Sequence, residues 1–168
     1  MMALVRASAA HVGPVFLRAG RMKTPVIYGA DQPFTIGKST SVREGIDVTI
    51  IATGIMVAEA IRAAETLEGQ GIAAGVIDMH TIKPIDRDAI SAAALKTGAI
   101  VVAEEHLVDC GLGVRVAQVV AETAPCVMEF VGVQNTYAES GSPEQILDKY
   151  GLLARDILAA VRRVLDRK

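Results

Sequence analysis

At 168 residues with a formal charge of −2, the chain has the size of one compact domain plus a small appendage, and it lacks the basic footprint of a nucleic-acid binder. About half the residues are apolar but only 4% are aromatic, so the core must be built from Ala, Val, Ile and Leu, as in a helix-covered parallel sheet rather than a sandwich. Cys110 and Cys126 are too few for a disulfide framework or a zinc site and suit a reducing cytoplasm, and no stretch approaches the roughly 18 unbroken apolar residues of a membrane span.

The first predicted element is a piece of helix, MMALVRASAAHVGP, whose Arg6 and His11 break the apolar run that a signal peptide needs. GPVFLRAGRMKTP (13–25) then reads as the last strand of a domain followed by an exit linker. Nothing nearby can pair with that strand, so its backbone groups imply a missing neighbour. Within it, Arg18, Arg21 and Lys23 form either a phosphate clamp, since planar guanidinium groups offer paired donors, or a plain surface. From Lys23 to Pro33, Pro25, Gly29 and Pro33 interrupt any period and mark a linker.

FTIGKSTSVREG (34–45) suits an edge strand running into a turn at Glu44-Gly45. From Asp47 onward the pattern is regular. DVTIIA (47–52), IAAGVIDM (72–79), AIVVAEE (99–105) and CVMEFVG (126–132) are buried-strand candidates bounded by Gly, Pro and charged residues. Between the first two, Val57, Ile61, Ala64 and Leu67 recur at helical spacing, with Glu59, Arg62, Glu65 and Glu68 on the other face. A second helix spans about 87–97, with Asp86 as cap, Ile85 and Ile90 at staple positions and Gly98 as a left-handed stop. A third runs from near Leu112 to Thr123 before Pro125, and two more cover Pro143 to Lys149 and Leu153 to about Leu165. The fold class is therefore α/β, a three-layer α/β/α sandwich with a mostly parallel five-stranded sheet. The basic end of the last helix, balanced by Asp156 and Asp166, is a solvated face.

Three loops follow the carboxyl ends of strands, where α/β folds place ligands. In ATGIMV (52–57), Gly54 opens a helix whose free N–H groups suit an anion, or it serves tight strand-to-helix packing. EEHLVDCGLG (104–113) has the densest set of titratable groups. Glu104 or Glu105 with His106 can make a general acid/base pair, the carboxylate orienting the imidazole. The same residues can equally hold a loop or a subunit contact, and no nucleophile or metal spacing accompanies them. Cys110 is either a reactive thiol beside a helix start or an inert buried one. Gly111 and Gly113 are a fragment of a dinucleotide fingerprint with Val116 where the last small residue should be. In GVQNTYAESGSPEQ (132–145), Ser142 before Pro143 reads as a cap, and Glu139 and Ser140 lack a base at nucleophile spacing. From the residues alone, no catalytic set is complete.

FTIGKSTSVREGIDVTIIATGIMVAEAIRAAETLEGQGI, VIDMHTIKPID, TGAIVVAEEH, CGLG and ESGSPEQILDKYGL occur in the order and spacing of one family. Residues 34–168 resemble the C-terminal domain of transketolase-like thiamine diphosphate enzymes, which implies that the mostly parallel five-stranded sheet has one antiparallel edge strand. The ESG…YGL ending is more similar to transketolase than to the β subunits of 2-oxoacid dehydrogenases; deoxyxylulose phosphate synthase shares it. The resemblance implies that residues 1–33 are the last helix, last strand and exit linker of a pyrimidine-binding domain. It also implies that Arg21 contacts the phosphate of the sugar substrate. Two departures stand out: the family's GGLG turn reads Cys110-Gly111-Leu112-Gly113, and its Asp-x-Phe before ESG reads Asn135-Thr136-Tyr137.

The activity that the resemblance implies is that of a transferase, which moves a two-carbon ketol unit between sugar phosphates with thiamine diphosphate and Mg2+. The family's cofactor and magnesium sites lie in segments this chain does not contain. The expectation is therefore that no cofactor binds the chain alone, that it holds no catalytic residue and no metal ligand, and that it acts with an N-terminal transketolase subunit or domain. A homo-oligomer, no nucleic acid, no membrane and a cytoplasmic location complete it. The rival readings are a fragment of deoxyxylulose phosphate synthase or of a 2-oxoacid dehydrogenase β subunit, and a stand-alone dimerisation or regulatory module in which Glu104, Glu105, His106, Cys110, Gly111 and Gly113 bind a partner.

Overall fold

Short runs of Val, Ile and Ala are stiff at χ1 and pack well on a pleated surface, and here they form the strands of a single sheet. The computed structural model describes residues 2–20, 22–29 and 32–168. In chain order the elements are α1 (Met2–Ala10), β1 (Thr40–Arg43), β2 (Val48–Ala52), α2 (Met56–Glu68), β3 (Ala74–Asp78), α3 (Arg87–Thr97), β4 (Ala99–Leu107), α4 (Leu112–Thr123), β5 (Val127–Val133), α5 (Pro143–Lys149) and α6 (Ala154–Asp166). The five strands lie in the order β1-β3-β2-β4-β5. β1 is antiparallel to β3, and the other neighbours are parallel. The expected sheet, including its one antiparallel edge, is the one observed.

Alternation along the strands divides the core into two layers. Val48, Ile50 and Ala52 of β2 and Val101 and Ala103 of β4 face α2 and α6, whereas Ile51, Ile100 and Val102 face α3 and α4. Each fully buried Val, Ile or Leu contributes roughly 1.5–3 kcal/mol against exposure. α6 presents Ile157, Ala160, Val161 and Val164 to the first layer at helical spacing. α3 has the punctuation read in its sequence: Asp86 accepts the Ala89 N–H, and Gly98 adopts φ +63°. α5 starts with a capping box between Ser142 and Gln145.

The β2–α2–β3 unit runs to one side of the sheet and β4 returns on the other side of β2. The crevice between the carboxyl ends of β2 and β4 is therefore the topological switch point. The loops at 53–55 and 108–111 flank it.

The amino-terminal part differs from expectation. Residues 14–20 carry no strand, so the strand expected within 13–25 is not formed there. The physical reason is the one the sequence raised: an isolated strand leaves its N–H and C=O groups unpaired, and among the described residues no neighbour meets them. α1 buries none of its residues. No helix among the described residues is long and apolar enough to cross a membrane.

Candidate functional site

β4 delivers the titratable run to the switch point. Its residues are buried through Glu104, after which the chain emerges into solvent. Glu104 is only 4% exposed. Its Oε2 accepts the N–H of Leu112 at 2.6 Å and its Oε1 accepts the N–H of Gly113 at 2.7 Å. These are free N–H groups of the first turn of α4, and Gly111, which occupies the cap position, has no side chain to meet them. A carboxylate reaching from the neighbouring strand takes over the capping role and sits at the positive end of the helix dipole.

The glycines follow from that arrangement. A Cβ at Gly111 would lie 2.0 Å from Glu104 Oε2, and one at Gly113 would lie 2.7 Å from the Phe130 ring. Close approach, not a dinucleotide, accounts for both. Gly54 differs again: it adopts φ +60° with no atom within 4 Å of its missing Cβ. The left-handed turn requires it, rather than tight packing.

The acid/base pair that the sequence allowed as one reading is not assembled. Glu104 is turned inward to α4, and Glu105 lies beside Arg18, with 3.6 Å between carboxylate and guanidinium. His106 is exposed, and its Nδ1 stands 3.1 Å from the carbonyl oxygen of Leu107 rather than by a carboxylate. Period-two alternation puts Glu105 and His106 on opposite faces of the strand, which is why adjacent residues fail to meet. Cys110 is exposed and free, so the reading of a buried inert thiol does not hold, and Cys126 is half-buried. Arg21, the expected phosphate ligand, lies outside the described residues.

A second cluster, which sequence reasoning missed, sits at the end of β3. The Tyr28 hydroxyl donates to Asp78 Oδ2 at 2.6 Å. The Phe34 ring stands edge-on to Tyr28 at 5.0 Å and to His80 at 5.1 Å. Asp78 is 6% exposed, and burial raises its carboxyl above the ordinary value despite the Tyr28 hydroxyl and the nearby His80. Burial likewise raises the Tyr28 phenol, with the Asp78 bond adding to it, and lowers His80. Eight residues on, Asp86 accepts the Ser39 N–H at 2.8 Å and the Ser39 hydroxyl at 3.1 Å, besides capping α3. Burial pushes the Asp86 carboxyl up, but the Ser39 and Ala89 donors and Lys38 outweigh it and leave it below the ordinary value. A signal was available: an acidic residue closing the apolar run of a buried strand must have a donor somewhere.

Among the described residues the carboxyl edge thus holds three buried carboxylates, each already engaged by donors of this chain. Among the described residues no group of three or more His, Cys, Asp or Glu is placed to hold a metal ion. A groove of about 330 Å3 between β1 and α3 is lined by Ser39, Arg43, Glu44, Asp86 and Lys96 among others, and none of its lining belongs to 104–113. In the third loop, the Tyr150 hydroxyl donates to the Tyr137 carbonyl and accepts the Glu139 N–H, pinning the turn before α5.

Comparison with known proteins gives a consistent picture. Residues 37–157 match the family model described as "Transketolase, C-terminal domain". The chain is 46% identical over 159 residues to the 6-deoxy-6-sulfo-D-fructose transketolase subunit of Clostridium sp. (strain MSTE9), covering 95% of this chain and 49% of that protein. It is 37% identical over 150 residues to an apulose-4-phosphate transketolase subunit of Phocaeicola vulgatus, covering 89% of this chain and 48% of the relative. A solved structure described as "Split gene transketolase, inactive beta4 tetramer" superposes with a TM-score of 0.94 at 48% identity, covering 98% of this chain and 54% of the other. The chain spans about half the length of each of these proteins.

Proposed function

Because the chain belongs to the family of transketolase C-terminal domains, we propose that it is the carboxyl-terminal part of a split transketolase that transfers a two-carbon ketol unit between sugars. The observation that carries this reading is the superposition on the split-gene transketolase chain along nearly the whole of this sequence, with about half of that chain left over. In this reading residues 1–33 end a pyrimidine-binding domain, and residues 34–168 pack beside it. Val12 and Phe16, 96% and 91% exposed, are then the apolar residues that the rest of that domain covers.

Thiamine diphosphate, with Mg2+, supplies the carbanion chemistry of the transfer. The described residues do not fit a diphosphate and magnesium site, since the buried carboxylates Glu104, Asp78 and Asp86 are each taken up by donors of this chain. The cofactor site belongs to the N-terminal subunit or domain with which this chain works. Arg21 is the residue we assign to the substrate's terminal anion, because a guanidinium offers paired donors to a phosphate or a sulfonate. The names of the relatives, one acting on a sulfonated fructose and one on apulose 4-phosphate, support a sugar with a charged terminus. Self-association follows from the exposed apolar residues and from the tetramer named for the solved relative. The two free cysteines suit a cytoplasmic location.

The test is a transketolase assay with ketose phosphate or 6-deoxy-6-sulfofructose as donor, an aldose phosphate acceptor, thiamine diphosphate and magnesium. It compares this chain alone, a version extended upstream, and each with an added N-terminal subunit. Activity that requires the upstream sequence and the added subunit is the expected result. Arg21→Ala should then raise KM for substrates with a charged terminus by about tenfold or more, the loss expected of one charged hydrogen-bonded contact. Activity in no combination would sink the enzyme reading and favour a partner-binding module.

A further inference from the structure

The described residues between Met22 and Ser39 have almost no regular structure of their own. Local backbone bonds such as Gln32 N–H to Gly29 C=O at 3.3 Å and Lys38 N–H to Thr35 C=O at 3.1 Å make two turns. What fixes the path of this segment is a series of tethers to the sheet. At one end Asp86 holds Ser39 through two bonds and Lys38 through an ion pair at 3.6 Å. In the middle Phe34 is wedged edge-on between Tyr28 and His80. At the other end the Tyr28 hydroxyl reaches the buried carboxylate of Asp78, while Ile27 and Met22 lie partly buried against the core. Upstream the character changes. Residues 11–20 are exposed throughout, and the tie found there is the surface ion pair of Arg18 with Glu105.

We infer that Tyr28 is a positioning residue: its bond to Asp78 locks the 22–34 segment across the carboxyl end of β3 and sets the direction in which the preceding chain leaves the sheet. A phenol donating to a carboxylate at this distance is a strong charge-assisted bond, and burial of the acceptor makes its loss more damaging than that of a surface contact. Among the described residues upstream of Tyr28, no other side chain bonds to a buried carboxylate. The inference rests on the proposed function in one respect, that a domain precedes residue 22 and needs a fixed orientation.

Hydrogen exchange read by mass spectrometry on the 168-residue chain tests it without substrate or cofactor. Tyr28→Phe keeps the ring against Phe34 and removes only the hydroxyl. The amides that carry the segment's turn bonds, Gln32 and Lys38, should then exchange about tenfold faster while those of 48–52 and 99–103 stay unchanged. Asp78→Asn, which keeps an acceptor but removes the charge, should accelerate the same amides by a smaller factor, about threefold. Unchanged exchange of Gln32 and Lys38 in both variants overturns the inference. So does an equal acceleration of segment and core, because the bond would then serve global stability and not position. A failed transketolase assay beside a passed exchange test would sink the enzyme reading and leave the tether standing.

Discussion

The stretch 105–111 and the described residues of 22–39 both come to the carboxyl end of the sheet, and buried carboxylates hold each, but by different routes. Glu104 caps the helix that follows it, only 8 and 9 residues along the chain. Asp78 and Asp86 hold a segment that precedes them by 50 and 47 residues. The first bond shapes a loop whose ends are already fixed by β4 and α4. The second closes a long excursion and has to overcome more loop entropy. A carboxylate at a strand end is therefore a folding device in both places, local in one and long-range in the other.

Removing Glu104 should separate the two most sharply. Glu104→Ala leaves the Leu112 and Gly113 N–H groups buried without an acceptor, and should cost on the order of 3 kcal/mol in urea unfolding. Asp86→Ala removes a helix cap and the Ser39 anchor together, for about 2 kcal/mol at neutral pH. Its pH dependence has a definite sign. A carboxyl held below its ordinary value of about 3.9 contributes stability above that pH and loses it as pH falls through the folded value. The acid limb of the stability curve should therefore be shallower in Asp86→Ala than in the unsubstituted chain. Asp78 acts in the opposite direction. Burial raises its carboxyl, so its contribution is present below the ordinary carboxylate range and is lost as pH rises through the folded value.

Most of the fold was legible because its determinants are local. Alternating β-branched runs, the Asp86 cap, the Gly98 stop and the Ser142 box each declare themselves within a few residues. The candidate site was legible only as a location. EEHLVDCGLG drew notice for its density of titratable groups, yet Glu104 is consumed in capping α4 and Glu105 and His106 point apart. Density alone does not distinguish a catalytic set from a capped helix start, since both need an anion near free N–H groups. The pairing of Tyr28 with Asp78 spans 50 residues and leaves no periodic trace. The strand expected within 13–25 reads as the end of a domain whose neighbour is missing, and residues 14–20, without such a neighbour, carry no strand.

The smallest effects should come from the residues that looked most chemical. His106 is exposed and meets only a neighbouring carbonyl among the described residues, so His106→Ala should change unfolding stability by less than about 0.5 kcal/mol. Arg18→Ala breaks an ion pair open to water on both sides, and pairs of that kind contribute about 0–1 kcal/mol, so its loss should vanish further as salt is raised. If either substitution instead matched Glu104→Ala in urea, the loop would be held by its exposed groups and not by the buried cap. If His106→Ala left stability intact but lowered turnover in the extended enzyme, the imidazole would act on substrate or on the neighbouring subunit. That separation of stability from turnover is the measurement that decides whether 105–111 is scaffold or site, because the buried contacts already account for its shape.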